Sequence, residues 1–374
     1  MDVKSRPIPG MMGIPQILLL SLFVSISANA GQSWPVAVRS ECEVIASNVT
    51  GAEDLAWLDQ TALIVSATDR RHGKATNGLC LINTGPGSGD CDFLQYEDGT
   101  VRPQAPHGIF AHGYPSSSVV VIDHPPEAPS LILQYSRHGN VLRQAKSPIE
   151  LEGINPNDIV VDPLGRFFFS DPPGENTSTW KWLSTLLGFS RSGIYVLASD
   201  SDGSDLSTDD KICRRLRYPN GVALDQQNRL YLADTMGGRL YILDQVQTSS
   251  LEQRCWTVAS IKGGDNINLS NTESFKGLVV TGHPKLLSYI QHMKSEDNCS
   301  PTTVHAVSEG GTQTSKILIL DGKQKFRDSQ NKDATHSFCA GSSAILTDNF
   351  LYVGQVFGPG ILRCPVFYRS VNSD

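Results

Sequence analysis

The sequence predicts an all-β fold, a six-bladed β-propeller, from two observations. First, segments 157–171 (NDIVVDPLGRFFFSD) and 220–234 (NGVALDQQNRLYLAD) superimpose without gaps. Each is a short apolar strand, a polar turn and a second strand rich in aromatic and branched residues. Second, weaker versions of the same hairpin occur at 53–69, 107–124, 265–283 and 341–356. Six copies at irregular spacing are compatible with one four-stranded blade each. The best helical candidate is 179–189 (TWKWLSTLLGF), between strands.

The N-terminus indicates export. Lys4 and Arg6 precede the apolar run 17–28, which ends at a small-x-small site before Gly31. A basic lead, a dozen apolar residues and such a site are typical of a secretory signal, and the run is short for a transmembrane helix. We therefore expect residues 1–30 to be a signal peptide or a retained hydrophobic leader, residues 31–374 to be one domain, and the protein to be secreted.

The charge, cysteines and glycosylation sequons agree with that expectation. A net charge of −7 without a Lys/Arg block makes nucleic acid an unlikely partner. Eight cysteines in an oxidising compartment should mostly pair. Cys80 and Cys91 flank a Gly-rich turn and are candidates for a cross-strand pair; the sequence leaves most other pairings open. Four sequons are candidate glycosylation sites: Asn48, Asn176, Asn268 and Asn298.

The starts of the six first strands carry a recurrent polar pattern. In a propeller these strands line the central channel, so their first residues converge on the axis. They are Glu53-Asp54, His107-Gly108, Asn157-Asp158, Asn220-Gly221, Asp265-Asn266 and Ala340-Gly341. Carboxylate and amide oxygens are the ligands that Ca²⁺ prefers, whereas Zn²⁺ would prefer Cys and His. Asn and Asp also begin strands because they form turns, but four blades sharing the position favour a metal.

An ordered set of motifs resembles the paraoxonase/arylesterase family. The motifs are GAEDLAW, PHGIF, DHP, NDIV, NG, DN, TGHP and GQVF…LRC, collinear from about residue 40 to 364. Gluconolactonase and strictosidine-synthase-like propellers would share the blades but not the whole set. The resemblance implies a six-bladed propeller with one catalytic and one structural calcium ion on its axis.

The resemblance also implies roles for individual residues. The catalytic ion would be held by Glu53, Asn157, Asn220, Asp265 and Asn266. The structural ion would be held by Asp54, Asp158 and the backbone carbonyl of Ile109. His107 and His124 match the active-site histidine pair, Asp171 and His283 match residues near the pocket, and Cys42 and Cys364 match the disulfide that closes the ring.

Some positions depart from the family pattern. A rim histidine is replaced by Gly237-Gly238, the free cysteine before the counterpart of His283 is replaced by Gly282, and the segments 171–180 and 201–212 diverge. These departures concern substrate preference. The implied N-terminal leader is a possible lipid-surface anchor.

The expected function is a secreted, calcium-dependent hydrolase of carboxylic esters or lactones. The ion would polarise the carbonyl, and His107, oriented or relayed by His124, would activate water. Glu53 or Asp265 is the rival base. No G-x-S-x-G elbow marks a serine nucleophile. Two alternatives remain open: a pathway-specific lactonase or cyclase of natural-product biosynthesis on the same site, and a non-enzymatic propeller whose calcium is purely structural.

Overall fold

The computed structural model describes residues 33–59, 61–70, 77–85, 89–112, 118–173, 192–198, 203, 211–244, 255–295, 298–331 and 333–370. The expected leader, the helical candidate 179–189 and the sequon at Asn176 lie outside these ranges. Within them the chain is mainly strand, with one α-helix, α1 (Leu286–Lys294), and two 3-10 helices, Arg39–Glu41 and Glu309–Gly311. None of the described helices has the length and apolar character of a membrane span.

The described strands form six hydrogen-bonded sheets. The chain begins with β1 (Ser33–Ala37) and β2 (Glu43–Thr50), which belong to sheet 6. Sheet 1 contains β3 (Ala52–Trp57), β4 (Ala62–Ala67), β5 (Gly78–Asn83) and β6 (Asp92–Phe93). Sheet 2 contains β7 (Gln95–Tyr96), β8 (Pro106–His112), β9 (Ser118–Asp123), β10 (Ser130–His138), β11 (Val141–Gln144) and β12 (Ile149–Leu151).

The remaining sheets follow in chain order. Sheet 3 contains β13 (Ile159–Val161), β14 (Phe167–Asp171), β15 (Ser192–Leu197) and β16 (Lys211–Leu216). Sheet 4 contains β17 (Pro219–Leu224), β18 (Leu230–Asp234), β19 (Arg239–Leu243) and β20 (Trp256–Ala259). Sheet 5 contains β21 (Gly264–Asn271), β22 (Lys276–Gly282), β23 (Thr302–Ser308) and β24 (Thr314–Leu320). Sheet 6 adds β25 (Gln324–Asp328), β26 (Thr335–Phe338), β27 (Gly341–Leu346), β28 (Phe350–Gln355) and β29 (Pro359–Ser370).

The first strands of the sheets surround a common axis. β3, β8, β13, β17, β21 and β27 contact one another in this order, and β27 contacts β3. In sheets 1, 3, 4 and 5 the four strands then follow in chain order away from the axis. The arrangement is an all-β propeller, as predicted, and it brings the starts of these six strands together.

Sheet 6 combines strands from both ends of the described chain. β2 pairs with β25 on one side and with β29 on the other. Cys42, just before β2, forms a disulfide with Cys364 on β29 across 322 positions of sequence. The predicted Cys80–Cys91 pair is also present. The pairings that the sequence left open are Cys213–Cys255 and Cys299–Cys339.

An aspartate carboxylate in the turn of the hairpin explains why segments 157–171 and 220–234 share one sequence pattern. Oδ1 of Asp162 accepts hydrogen bonds from the backbone N–H groups of Leu164 and Arg166, and Oδ2 lies 2.7 Å from Arg166 Nε. Asp225 binds Arg229 in the same way, with 2.6 Å to Nε. The side chain thus replaces the backbone partners that the turn lacks, so both hairpins require Asp and Arg four residues apart.

Apolar side chains between neighbouring sheets form the core. Between sheets 2 and 3, Ile122 and Ile132 pack in one cluster with Phe167 and Phe169. Burying a large apolar side chain contributes about 1.5–3 kcal/mol, so contacts of this kind hold each sheet against the next. The rigid frame fixes the polar residues at the strand starts.

Candidate functional site

β-Bulges place polar residues at the axis. The pairing of the first strand with the second shifts register between Ala52 and Asp54, and again between Pro106 and Ile109. The same shift occurs in sheets 4, 5 and 6, near the start of the first strand. A bulge leaves ladder positions unpaired and redirects side chains. In sheets 1, 2, 4 and 5 the bulged positions hold predicted site residues, namely Glu53, His107, Asn220, Asp265 and Asn266.

Glycine permits the close approach of adjacent first strands. A Cβ on Gly108 would lie 2.6 Å from the carbonyl oxygen of Asn157, and one on Gly221 would lie 2.4 Å from that of Asp265. Both contacts are with backbone, which cannot move aside as a flexible side chain can. These glycines therefore set the spacing of the predicted ligands.

Glu53 is buried and held by two cationic or ionisable partners. Its Oε1 lies 3.1 Å from His107 Nε2 and its Oε2 lies 2.6 Å from Arg70 Nη2. Burial alone would raise the pKa of Glu53, but Arg70 and His107 outweigh it and lower that pKa to about 2. Glu53 is therefore a carboxylate at physiological pH.

Asp265 and its partners form the opposite part of the same site. Asn220 Nδ2 donates to Asp265 Oδ1 at 2.5 Å, and His283 Nε2 lies 2.9 Å from Asp265 Oδ2. The ring of His283 stacks on Tyr289 of α1, with ring centres 4.1 Å apart. His283 is 1% exposed, so it supports Asp265 from within the protein.

A second layer of carboxylates lies at the predicted structural-ion position. Asp54 accepts from Ile109 N at 2.9 Å, Ser343 Oγ at 3.0 Å and Asn266 Nδ2 at 3.1 Å. Asp158 Oδ2 accepts from Val222 N at 2.7 Å. Asp54 thus connects sheets 1, 2, 5 and 6, and Asp158, just before β13, connects to sheet 4. The structure thus brings Asp54, Asp158 and Ile109 together, with the Ile109 amide bonded to Asp54.

Burial raises the pKa values of the two carboxyl groups in this second layer, Asp54 and Asp158. Desolvation by burial raises the pKa of Asp54 to about 6. Desolvation, together with repulsion from Asp54, raises the pKa of Asp158 well above its ordinary value. A nearby cation would lower both values because it stabilises the charged carboxylates. The position therefore suits a cation.

Three buried amide oxygens without hydrogen-bond partners test whether the residues predicted to hold the catalytic ion fit calcium. Asn157 Oδ1, Asn220 Oδ1 and Asn266 Oδ1 are buried and have no hydrogen-bond partner among the described residues. Buried polar atoms normally have partners, and these three belong to the predicted ligand set. In the described part of the chain, no three His, Cys, Asp or Glu side chains are grouped to hold a metal alone. The amide oxygens are thus essential to any such site, which fits Ca²⁺ rather than Zn²⁺.

The two predicted catalytic histidines are neighbours. The rings of His107 and His124 meet edge to face with centres 5.3 Å apart. His124 Nδ1 lies 2.9 Å from Ser130 Oγ. Burial, assisted by His107 and Arg70, lowers the pKa of His124 to about 3. His124 is therefore neutral at physiological pH, which favours an orienting role over a proton relay.

Asp171 takes part in a contact that recurs between sheets. Its Oδ2 lies 2.6 Å from Lys211 Nζ, and its Oδ1 accepts from Asn155 N at 3.4 Å. The residues at the same place in sheets 2 and 4, Asp123 and Asp234, also accept from backbone N–H groups that precede the first strand. Asp171 therefore has a structural contact, and its pocket role stays a prediction.

Sequence reasoning missed Arg70, Tyr289 and Ser343 at this site. The pairing of Ala52 with Ala67 in the first hairpin places the residues after β4 beside the start of β3. This antiparallel register is the signal that could have revealed Arg70. Ser343 on β27 has no comparable signal, since its contact with Asp54 depends on packing between sheets 6 and 1, and Tyr289 lies on α1, a helix that the sequence analysis did not predict.

Three of the predicted glycosylation residues lie in the described ranges. Asn298 and Asn48 are exposed as residues, although the Asn48 amide exchanges two hydrogen bonds with the backbone of Cys91. Asn268 is half-buried and donates to Ser343 Oγ at 3.0 Å. Attachment at Asn298 requires the least rearrangement, and all three sites stay predictions.

A cavity away from the axis has a different composition. It measures about 890 Å³ and is lined by residues 39–43 and 324–329. None of the predicted site residues except Cys42 of the disulfide belongs to this lining. The axial cluster, not this cavity, combines the carboxylates, amides and histidines.

Fold and site define a β-propeller with an axial cluster of oxygen ligands and histidines. Residues 118–282 match the family model described as SMP-30/gluconolactonase/LRE-like region. No curated protein matches the chain. A solved gluconolactonase from Xanthomonas campestris is similar at a TM-score of 0.50 and 16% identity, over 92% of this chain and 93% of that one. A solved glucose dehydrogenase has a TM-score of 0.50 and 10% identity, over 86% of this chain and 98% of that one. At these identities the structural likeness shows the fold alone.

Proposed function

We propose that this chain is a secreted, calcium-dependent hydrolase of lactones and carboxylic esters. It would be a six-bladed propeller of the paraoxonase/arylesterase type, with one blade per sheet and the ring closed through Cys42–Cys364. The observation that carries the proposal is the group of three buried amide oxygens without partners, of Asn157, Asn220 and Asn266, beside Glu53 and Asp265. The match of residues 118–282 to a gluconolactonase-like family model supports lactone substrates.

Two sets of residues would hold two ions. Glu53, Asn157, Asn220, Asp265 and Asn266 would hold the catalytic ion, and Asp54, Asp158 and the Ile109 carbonyl would hold the structural ion. A bound Ca²⁺ in the first set supplies Lewis-acid polarisation of the substrate carbonyl. In the second set, Asp54 bonds to sheets 2, 5 and 6 and Asp158 bonds to sheet 4, so an ion shared by the two carboxylates would connect these two groups of sheets.

His107 is the proposed general base. Its Nδ1 is buried and has no hydrogen-bond partner in the described part of the chain, while its Nε2 lies 3.1 Å from Glu53 Oε1. The Glu53 carboxylate accepts the Nε2 proton and fixes the ring, so Nδ1 is the nitrogen available to take a proton from water. The edge of His124, anchored by Ser130, restricts rotation of the His107 ring.

A lactone and aryl-ester panel, run with calcium and with chelator, tests the proposal. We expect hydrolysis in calcium and its loss in chelator. His107→Gln should lower kcat by about 10²–10⁴-fold, the usual contribution of a general base. His138→Gln, an exposed histidine at the end of β10, is the matched control and should retain activity. Turnover that survives both chelation and His107→Gln would refute the mechanism.

A further inference from the structure

The side chain of Tyr289 packs on His283 from a neighbouring element. His283 directly follows β22, and α1 begins three residues later at Leu286. The rings of His283 and Tyr289 stack with their centres 4.1 Å apart and their planes inclined by 19°. His283 is buried, whereas Tyr289 is half-buried. Tyr289 thus covers one face of the imidazole from the side of α1.

Within the described part of the chain, hydrogen bonds fix one of the two ring nitrogens of His283. Nε2 lies 2.9 Å from Asp265 Oδ2, while Nδ1 is buried and has no hydrogen-bond partner among the described residues. The backbone N–H of His283 donates to Gly263 O at 2.9 Å, which positions the main chain but not the ring. The orientation of the imidazole therefore depends on its bond to Asp265 and on its stack with Tyr289.

The orientation of His283 matters for Asp265, a proposed calcium ligand. Each Asp265 oxygen contacts one neighbour, Asn220 Nδ2 at Oδ1 and His283 Nε2 at Oδ2. The hydrogen-bond partners of a ligating carboxylate orient it, and their loss weakens metal binding. A His283 ring that turned away would leave Oδ2 without this partner, so the carboxylate would be less restrained.

Helix α1 is also fixed beyond its C-terminal end. Cys299, in the segment after the helix, forms a disulfide with Cys339, just before β27. His292 on α1 meets the ring of Phe357, between β28 and β29, edge to face with centres 5.2 Å apart. The helix is therefore connected to β22 at one end and to sheet 6 at the other, and these connections set the position of Tyr289.

We infer that Tyr289 is a positioning residue for the axial site: its ring holds the imidazole of His283 and thereby the carboxylate of Asp265. This inference rests on the proposed function, in which Asp265 binds calcium. The ring carries the role, because the contact is a face-to-face stack that does not involve the hydroxyl. Tyr289→Phe should therefore retain it. Tyr289→Leu and Tyr289→Met keep apolar bulk without a flat ring and should lose it; both are strong helix formers, so α1 should persist.

Two measurements on the whole protein test the inference. The first is the proton NMR signal of His283 Nε2–H, recorded in chelator on protein with isotope-labelled histidine and assigned by its loss in His283→Gln. The second is the Kd for calcium by calorimetry. Tyr289→Phe should keep both the signal and the wild-type Kd. Tyr289→Leu and Tyr289→Met should broaden or shift the signal and raise the Kd about tenfold, the lower end of the effect expected for the partners of metal ligands.

Tyr241→Leu and Tyr241→Phe are the matched controls. Tyr241 is half-buried on β19, the third strand of sheet 4, and packs in a cluster between sheets 3 and 4. Both variants should keep the His283 signal and the wild-type Kd. Circular dichroism and Tm of each variant measure any loss of folding stability, which the Tyr241 variants calibrate.

The outcomes separate this inference from the proposed function. If the signal changes in Tyr289→Leu and persists in Tyr289→Phe, but the wild type binds no calcium, the positioning of His283 stands and the proposed calcium site fails. A signal that Tyr289→Leu and Tyr289→Met leave unchanged overturns the inference, and so does a wild type without a His283-dependent signal. An equal change in Tyr289→Phe also overturns it. So does an altered signal with an unchanged Kd in a wild type that binds calcium, because Asp265 would then keep its geometry without Tyr289.

Discussion

The burial of Asp54 predicts a contribution to stability in chelator that is lost as the pH rises. Burial raises the pKa of Asp54 from 3.8 to about 6. Between these values the folded state binds more protons than the unfolded state, so the free energy of unfolding decreases with pH. Two pKa units correspond to about 3 kcal/mol, fully lost above pH 6. Asp158 shifts in the same direction, and the two carboxyl groups titrate as a coupled pair.

The lowered pKa of Glu53 has the opposite effect on the free energy of unfolding, and this effect occurs at lower pH. The pKa of Glu53 is lowered to about 2 from 4.5, since Arg70 and His107 outweigh the effect of burial. Its contribution is present above pH 4.5 and disappears as the pH falls through 2. From pH 4.5 to 6.5 the lowered pKa of His124 acts in the opposite direction to that of Asp54, so the Asp54 effect is the difference between the wild type and Asp54→Asn.

Urea unfolding in chelator at a series of pH values, compared with the same series in calcium, measures this effect. In chelator the wild type should lose about 2 kcal/mol relative to Asp54→Asn between pH 4.5 and 6.5, and millimolar calcium should abolish this relative loss. Asp54→Asn should lack the loss that Asp54 causes and should add a pH-independent cost, because its amide cannot accept every hydrogen bond that the carboxylate accepts. Asp98→Asn, at an exposed position, should behave as wild type. Parallel changes in the stability of the wild type and of Asp54→Asn over this range in chelator would refute the reasoning.

Three further predictions concern the frame and the ligands. Gly221→Ala places a Cβ 2.4 Å from a backbone oxygen and should lower the free energy of unfolding by about 1–3 kcal/mol, whereas Gly85→Ala, with open space around it, should leave the urea midpoint within error. Asn220→Ala removes a proposed ligand and should weaken calcium binding at least about tenfold by calorimetry; unchanged affinity would exclude Asn220 from the site. Replacing Cys42 and Cys364 with Ser should cost about 2–5 kcal/mol in urea unfolding, and an unchanged midpoint would show that the bond adds no stability.

The sequence predicted those parts of the structure that follow from local pattern. The Asp162 and Asp225 turns depend on side chain-to-backbone bonds within five residues, so the hairpin can be read directly from the chain. The Cys80–Cys91 pair was also predictable locally, because the two cysteines flank one Gly-rich turn and are 11 residues apart. Asn220 and Asp265 were predicted to meet because strand starts in a propeller face one axis, and the two side chains are hydrogen-bonded.

The parts that the sequence did not predict depend on packing between distant segments. Ser343 donates a hydrogen bond to Asp54 across 289 positions of sequence. Arg70 lies outside the first strands on which the sequence argument depended. The neutral state of His124 also follows from its burial, which no motif reveals.

The axial site has two layers with different electrostatic requirements, an upper layer that contains Glu53 and a lower layer that contains Asp54 and Asp158. This difference explains their residue types. In the upper layer, Glu53 retains its charge because Arg70 and His107 are close to it, so the group remains ionised with or without metal. In the lower layer, Asp54 accepts only uncharged donors, and its pKa rises. A bound cation would therefore lower the pKa of Asp54, whereas Glu53 is ionised with or without such a cation. Metal removal should accordingly affect stability through Asp54 and activity through Glu53, and the two effects are separable by measuring each as a function of calcium concentration.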